Sequence, residues 1–313
     1  MRPGFLVLFG YLAFASLARA DDPVAGPSAS APVAREPKRE KATDDDLRIR
    51  GIFNSALPGT EKKSSLRLIV HPHLGDLTNR DSIRTALGLR YGLTSRWEAT
   101  AETDSYFTHG MKKGGFFEDS GLASIHLGTK YRIGDPLHLG VDTSVGIDWS
   151  RPLGTPPPDV TDGLKHLAPF FTMSRQLQSR PGWRVFWGFG YDDVTHTDVV
   201  GQLDKNDLRD DSIGLSGGVL WERGPTTYTL ETTYHTTRFT SDSNRYVVGV
   251  RPGVVWTLPP KYTFHAKGKW LFGVALRLTH GPDGNDVGFG AKLRVNFDFK
   301  RLLGRKKAPA SGQ

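Results

Sequence analysis

Residues 85–104 read TALGLRYGLTSRWEATAETD. In the first half, Thr85, Leu87, Leu89 and Tyr91 alternate with Ala86, Gly88 and Arg90. After Gly92-Leu93-Thr94-Ser95 the alternation resumes, with Trp97, Ala99, Ala101 and Thr103 set against Glu98, Thr100, Glu102 and Asp104. A period of two places every second side chain on the same face of a strand. Two such runs joined by a few turn residues predict an antiparallel pair with one apolar face and one polar face.

The same pattern extends in both directions, from Ser65 to Phe299. Leu66, Leu68 and Val70 open it. Ala123, Ile125, Leu127, Thr129, Tyr131 and Ile133 form a fourth run, and Leu137, Leu139, Val141, Val145, Ile147 and Trp149 a fifth. The eleventh reads Tyr262, Phe264, Ala266, Trp270, Phe272, Val274 and Leu276, and the twelfth runs from Val287 to Phe299. Twelve strands are expected in all. Their alternate positions are polar, charged or glycine.

A soluble sandwich alternates in the same way, so two further features decide the class. Connections alternate in length: Gly92 to Ser95, Gly134 to Pro136, Ser179 to Gly182, Arg223 to Thr226 and Pro259-Pro260 are short, whereas Thr108 to Asp119, Ser150 to Lys165 and Val194 to Asp210 are long. Outer-membrane barrels have short turns at one end and long loops at the other. Aromatic residues on the apolar face also gather at strand ends. Tyr91, Trp97, Tyr131, Trp183, Trp221, Tyr228, Trp256 and Tyr262 stand by the short turns, while Phe107, Trp149, Tyr191, Tyr234 and Tyr246 stand by the long loops. Ring-plus-polar side chains at both rims suit a lipid–water boundary. Inside lipid only a closed barrel satisfies every strand's backbone groups. The expected fold is therefore all-β: a transmembrane, antiparallel up-and-down β-barrel of about 12 strands.

Composition agrees. The 313 residues include no cysteine, which excludes a disulfide framework, a Cys-ligated zinc or iron–sulfur site and a thiol nucleophile. Only 37% of residues are hydrophobic and mean hydropathy is −0.39, as expected when one face of each strand meets lipid. Residues 1–20 (MRPGFLVLFGYLAFASLARA) read as a signal peptide, with Arg2, an apolar stretch and Ala18-Arg19-Ala20 at the cleavage site. Residues 21–50 form a disordered Pro/Ala-rich charged leader, 51–299 the barrel, and 300–313 a basic tail expected to face the periplasm. The net charge of +8 invites a nucleic-acid reading, but its distribution removes it. The signal peptide carries +2, the leader −1 and the tail +5, which leaves +2 for the barrel.

The turn Leu89-Arg90-Tyr91-Gly92-Leu93-Thr94-Ser95-Arg96-Trp97-Glu98, the run Leu127-Gly128-Thr129-Lys130-Tyr131-Arg132 and Arg251-Pro252-Gly253-Val254 resemble the outer-membrane β-barrel family associated with the meta-cleavage pathway of phenol degradation. Its members are described as outer-membrane transporters. The resemblance covers roughly Leu66 to Phe299 and implies transport of small solutes, with aromatic or apolar ones among them. It implies no catalytic residue and no cofactor.

By alternation, Arg67, Arg84, Arg90, Arg245, Arg251, Lys267, Lys269, Arg277, Lys292 and Arg294 point inward from the strands that meet at closure, so they form a basic wall. Glu98, Glu102, Asp104, Asp142, Asp148 and Glu231 point inward elsewhere. From these, Glu98, Glu102, Asp104, Asp142, Arg251, Lys267, Lys269 and Arg294 are the candidate pore-lining residues. A field between such walls would orient small dipolar solutes. The opposing expectation is internal salt bridging that plugs and stabilises the barrel. At least a dozen glycines, Gly88, Gly128 and Gly253 among them, occupy inward positions and leave room in the lumen. Inward histidines are spread over different strands, with only His71 and His73 forming an i, i+2 pair, so no metal is expected. A hydrolase would have to use Asp192, Asp193, His196 and Asp198 at the long-loop rim. Expected partners are outer-membrane lipid and lipopolysaccharide, the barrel-assembly machinery and small solutes.

Overall fold

A computed structural model describes residue 53 and residues 55–74, 82–109, 120–153, 164–195, 211–236, 246–263, 268–281 and 284–298. The expected signal peptide, leader and tail lie outside the described residues, as do Phe299, His196, Asp198, Arg245 and Lys267. Twelve strands follow one another: β1 Ser65–Leu74, β2 Ser82–Gly92, β3 Trp97–His109, β4 Gly121–Gly134, β5 Val141–Pro152, β6 Lys165–Gln176, β7 Trp183–Thr195, β8 Ser212–Arg223, β9 Thr226–Thr236, β10 Tyr246–Thr257, β11 Lys269–Gly281 and β12 Gly284–Asp298. Each pairs antiparallel with its neighbours in sequence, and β1 pairs with β12 from Ser65↔Asp298 to Leu74↔Phe289, closing the barrel. Closure leaves no strand edge exposed.

The alternation read from the sequence is carried out in space. Leu87 and Leu89 on β2 are each about half exposed (45% and 46%), whereas Ala86 between β1 and β3 is 9% exposed. Large apolar side chains face outward all round the wall, including Leu127, Ile147, Phe189, Leu215 and Leu276. At the short-turn end Trp183 stacks on Trp221 (5.7 Å) and Trp221 on Tyr228 (5.2 Å), across three strands in register. At the other end Tyr234 stacks on Tyr246 at 6.4 Å. Each pair adds about 0.5–1.5 kcal/mol beyond its burial. Three prolines interrupt the ladders, because proline has no N–H to donate. Pro72, Pro169 and Pro252 fall where the pairings β1–β12, β6–β7 and β10–β11 skip two residues.

Three local expectations are corrected. Leu137 and Leu139 are not in β5. They sit in a connection over 135–140, where the Asp135 carboxylate accepts from the N–H groups of Leu139 (3.0 Å) and Gly140 (2.7 Å) and stops the strand. His138 and Gly140 take positive φ there. Tyr262 is not in β11 either. Pro259-Pro260 cannot continue a ladder, so a 3-10 turn, Pro260–Thr263, follows and β11 begins at Lys269. This connection is longer than the one between β11 and β12, against the regular short–long alternation. Finally, the β3–β4 register shifts between Asp104 and Ser105. An extra residue at such a bulge exchanges the faces beyond it. Leu122 is therefore exposed (53%), while Ala123 is buried against Tyr106.

Candidate functional site

The lumen contains a stretch of main chain. Phe53 and residues 55–64, just before β1, cross the inside of the barrel, and Leu57, Pro58, Gly59, Thr60 and Glu61 are buried. The sequence explains why they do not extend β1. Leu57-Pro58-Gly59 breaks the alternation, and Pro58 lacks an N–H to donate to a ladder. At the β1 end, Ser64 donates to the Gly92 carbonyl (2.7 Å). A Cβ on Gly92 would stand 2.0 Å from the Lys62 carbonyl oxygen, so glycine is required at this contact.

Inward charges from several strands hold the segment. Lys130 on β4 donates to the carbonyls of Leu57 (2.9 Å) and Gly59 (2.7 Å) and pairs with Glu98 (3.1 Å). Glu98 accepts from the Glu61 N–H (2.8 Å), and the Glu61 carboxylate pairs with Arg67 (2.7 Å). Thr172 on β6 donates to the Ala56 carbonyl (2.8 Å). Across the lumen, Glu231 on β9 accepts from the N–H groups of Phe53 (2.6 Å) and Ser55 (3.0 Å) and from the Ser55 hydroxyl (3.1 Å). Lys292 on β12 donates to the Phe53 carbonyl (3.2 Å). Buried backbone groups and buried charges thus satisfy one another, which is what makes both tolerable there.

Apolar contacts complete the closure. Phe53 and Leu57 cluster with Phe186, Leu220, Val255, Leu271 and Ala275, all inward-facing. Burying a side chain of this size contributes about 1.5–3 kcal/mol. The Phe53 ring lies where Gly253 and Gly273 leave space. A Cβ at those positions would come within 2.6 and 3.0 Å of it. Lys130 stands four residues from the Gly134 end of β4, and Gly253 four from the Thr257 end of β10. The segment therefore lies in the half of the lumen nearer the short connections.

Beyond it lie two adjoining cavities among the described residues. The larger, about 560 Å³, has Ser55 and Ala56 at its floor and extends to Arg151, Leu164 and Ser212 at the long-loop rim. The smaller, about 350 Å³, is floored by Phe53. Both are lined by Arg84, Asp104, Thr233 and His235, so they adjoin.

The sequence-predicted residues divide between these surroundings. Glu102 and Arg251 line the smaller cavity, and Asp104 lines both. Glu98 (1% exposed) and Arg294 (3%) are buried beside the segment and line neither cavity. Asp142 is paired with Arg132 at 2.9 Å. Lys269 is exposed at the start of β11, and Lys267 lies outside the described residues. The lumen-crossing segment itself was not anticipated, being counted within the barrel from residue 51. Its signals were the unpatterned Ala56-Leu57-Pro58-Gly59 and the inward Lys130, set among acidic positions.

The rim residues considered for hydrolysis are not assembled as a relay among the described residues. His166 Nδ1 meets Asp192 at 2.9 Å, and His196 and Asp198 lie outside the described residues. A second set, unforeseen, lines the larger cavity. The Ser124 hydroxyl donates to Asp104 Oδ2 (3.1 Å) and stands 2.8 Å from His126 Nε2, itself 3.0 Å from the same oxygen. A Ser–His–Asp relay needs hydroxyl and carboxylate on opposite ring nitrogens. Here both meet one. At the long-loop rim, Asp211 accepts from the Tyr191 hydroxyl and from the Val194 N–H (3.0 Å), and these donors hold its carboxyl below the usual carboxylate range. No group of three or more metal-ligating side chains converges among the described residues.

No known family matches the chain, and no curated protein resembles it in sequence. Solved structures resemble it in fold. An outer membrane channel from Pseudomonas putida F1 superposes with a TM-score of 0.53 at 11% identity, covering 76% of this chain and 96% of the channel. The NanC porin (TM-score 0.48, 12% identity) and the KdgM porin (0.44, 9%) each cover 74% of this chain and 98% of their own. At these identities the likeness to the Pseudomonas channel is one of fold, a closed antiparallel barrel.

Proposed function

We propose that this chain is an outer-membrane channel for passive or facilitated passage of small solutes, with the lumen as the pathway and the segment from Phe53 to Ser64 as its closure. The observation that carries the reading is the inversion of polarity across the wall. Apolar and aromatic side chains cover the outside, and two adjoining cavities with charged linings occupy the inside. That arrangement suits lipid without and water within. The signal-peptide pattern supports export, and with it contact with the assembly machinery, membrane lipid and lipopolysaccharide. The family resemblance extends the solute class to aromatic compounds, for which Phe170 and Leu164 on the larger cavity offer apolar surface.

Liposome swelling tests the proposal. Wild-type protein and a variant with the closure weakened (Lys130→Met) are reconstituted and exposed to arabinose, glycine and phenol. Swelling in at least one solute, faster in the variant, is expected. No permeability in either protein, with both folded, refutes it.

A further inference from the structure

We infer that the smaller cavity is a binding site for a small zwitterion, a solute carrying one carboxylate and one ammonium group. The inference rests on the lumen being a solute pathway and names the class of solute it holds.

The cavity is lined by Arg251 and Arg277 from β10 and β11 and by Arg84, Glu102 and Asp104 from the adjoining β2 and β3. Three of these five charges are committed within the protein, and Arg84 is one of them. Arg277 pairs with Asp286. Asp104 is held by Ser124 and His126. Arg251 lies directly across from Glu231 in the β9–β10 ladder, but both oxygens of Glu231 accept hydrogen bonds from the lumen-crossing segment. Among the described residues Arg251 makes no hydrogen bond or ion pair, and neither does Glu102. Gly88, opposite Glu102 in the β2–β3 ladder, leaves that carboxylate its space, since a Cβ there would stand 2.7 Å from Glu102 Oε2.

One guanidinium and one carboxylate thus face the same cavity from β10 and β3. Four strands separate them one way round the barrel and six the other, so they occupy nearly opposite walls. The cavity, about 350 Å³, equals the liquid volume of about a dozen waters. A solute with a single charge would satisfy one wall and displace water from the other charge, leaving that charge without a hydrogen-bonding partner. A zwitterion of suitable length satisfies both, with a two-pronged bond from Arg251 to its carboxylate and Glu102 accepting from its ammonium.

Isothermal titration of the full-length protein in detergent micelles tests this, using glycine, β-alanine, γ-aminobutyrate and 6-aminohexanoate against butyrate and butylamine. The expected result is a length optimum among the zwitterions, with the best binding about tenfold or more tighter than either singly charged probe. Arg251→Gln removes the advantage over butylamine, and Glu102→Gln removes the advantage over butyrate. Both substitutions are near-isosteric, and unchanged heat-modifiable gel migration shows that the barrel is intact. The inference is overturned if no zwitterion exceeds its singly charged counterparts, or if both variants bind as wild type does. Arabinose swelling in parallel separates the two readings. Arabinose passage without zwitterion preference overturns the site alone, whereas zwitterion binding without any permeation upholds the site and overturns the channel.

Discussion

Glu231→Ala is the sharpest perturbation of the closure. Glu231 is 1% exposed and, from the described residues of the segment, receives two hydrogen bonds from main-chain N–H groups at 2.6 and 3.0 Å and one from a hydroxyl at 3.1 Å. Hydrogen bonds to a charged group contribute about 1.5–3 kcal/mol each. The three share one carboxylate, and water filling the vacated space regains part of the loss. The net weakening of the seated state is therefore about 2–4 kcal/mol, or about 30- to 1000-fold in the population with the segment displaced. The absence of cysteine allows a clean reporter. Leu57 is 0% exposed, so Leu57→Cys reacts with a bulky maleimide only when the segment leaves its seat. When reseating is fast relative to labelling, the rate follows the displaced population. Labelling of Leu57→Cys is expected to rise at least 30-fold when Glu231→Ala is added. A rise below twofold, with the barrel folded in both proteins, would refute the assignment of Glu231 as an anchor.

Three further outcomes follow from the same geometry. Gly253→Ala puts a methyl 2.6 Å from the Phe53 ring and 2.8 Å from the Thr229 hydroxyl, an overpacking of about 1–3 kcal/mol; urea unfolding should show the loss, and adding Phe53→Ala should recover part of it. Trp221→Ala removes two stacked neighbours at the short-turn rim and should cost about 1–3 kcal/mol from the stacking alone, measured by reversible unfolding from lipid vesicles. Because the Asp211 carboxyl is held below its ordinary range, its hold on Tyr191 and Val194 is fully present above the unfolded-state value and is lost as pH falls through the folded-state value. Proteolysis between β7 and β8 should therefore accelerate on acidification in wild type but be already fast, and insensitive over that range, in Asp211→Asn.

The barrel was legible because its wall is written in a period of two. Leu87, Leu89 and Tyr91 had to share a face whatever else the chain did, and the outward-facing aromatics marked both rims. Boundaries were harder to read where a side chain overrides alternation. Asp135 capping Leu139 and Gly140, the Pro259-Pro260 break and the bulge beside Asp104 each act over two or three residues. The inward face was least legible. Alternation shows that Glu98, Lys130 and Glu231 point inward, but not whether they meet solute, one another or a returning main chain. The last depends on contacts as distant as Phe53 with Glu231, and no local pattern encodes a pairing across 178 residues.

The lumen-crossing segment has a mechanical consequence. A barrel wall is one sheet thick, and a hollow cylinder of that kind resists flattening only through its hydrogen-bonded circumference. Here three of those seams are interrupted at proline. The segment is fastened to β4 and β6 at one part of its course and to β9 and β12 at another, and it works as a cross-brace that fixes the span between opposing walls. In the proposed outer-membrane channel, the seated brace would hold the cross-section against the sideways pressure of a bilayer, and its departure would both clear the lumen and soften the ring around it.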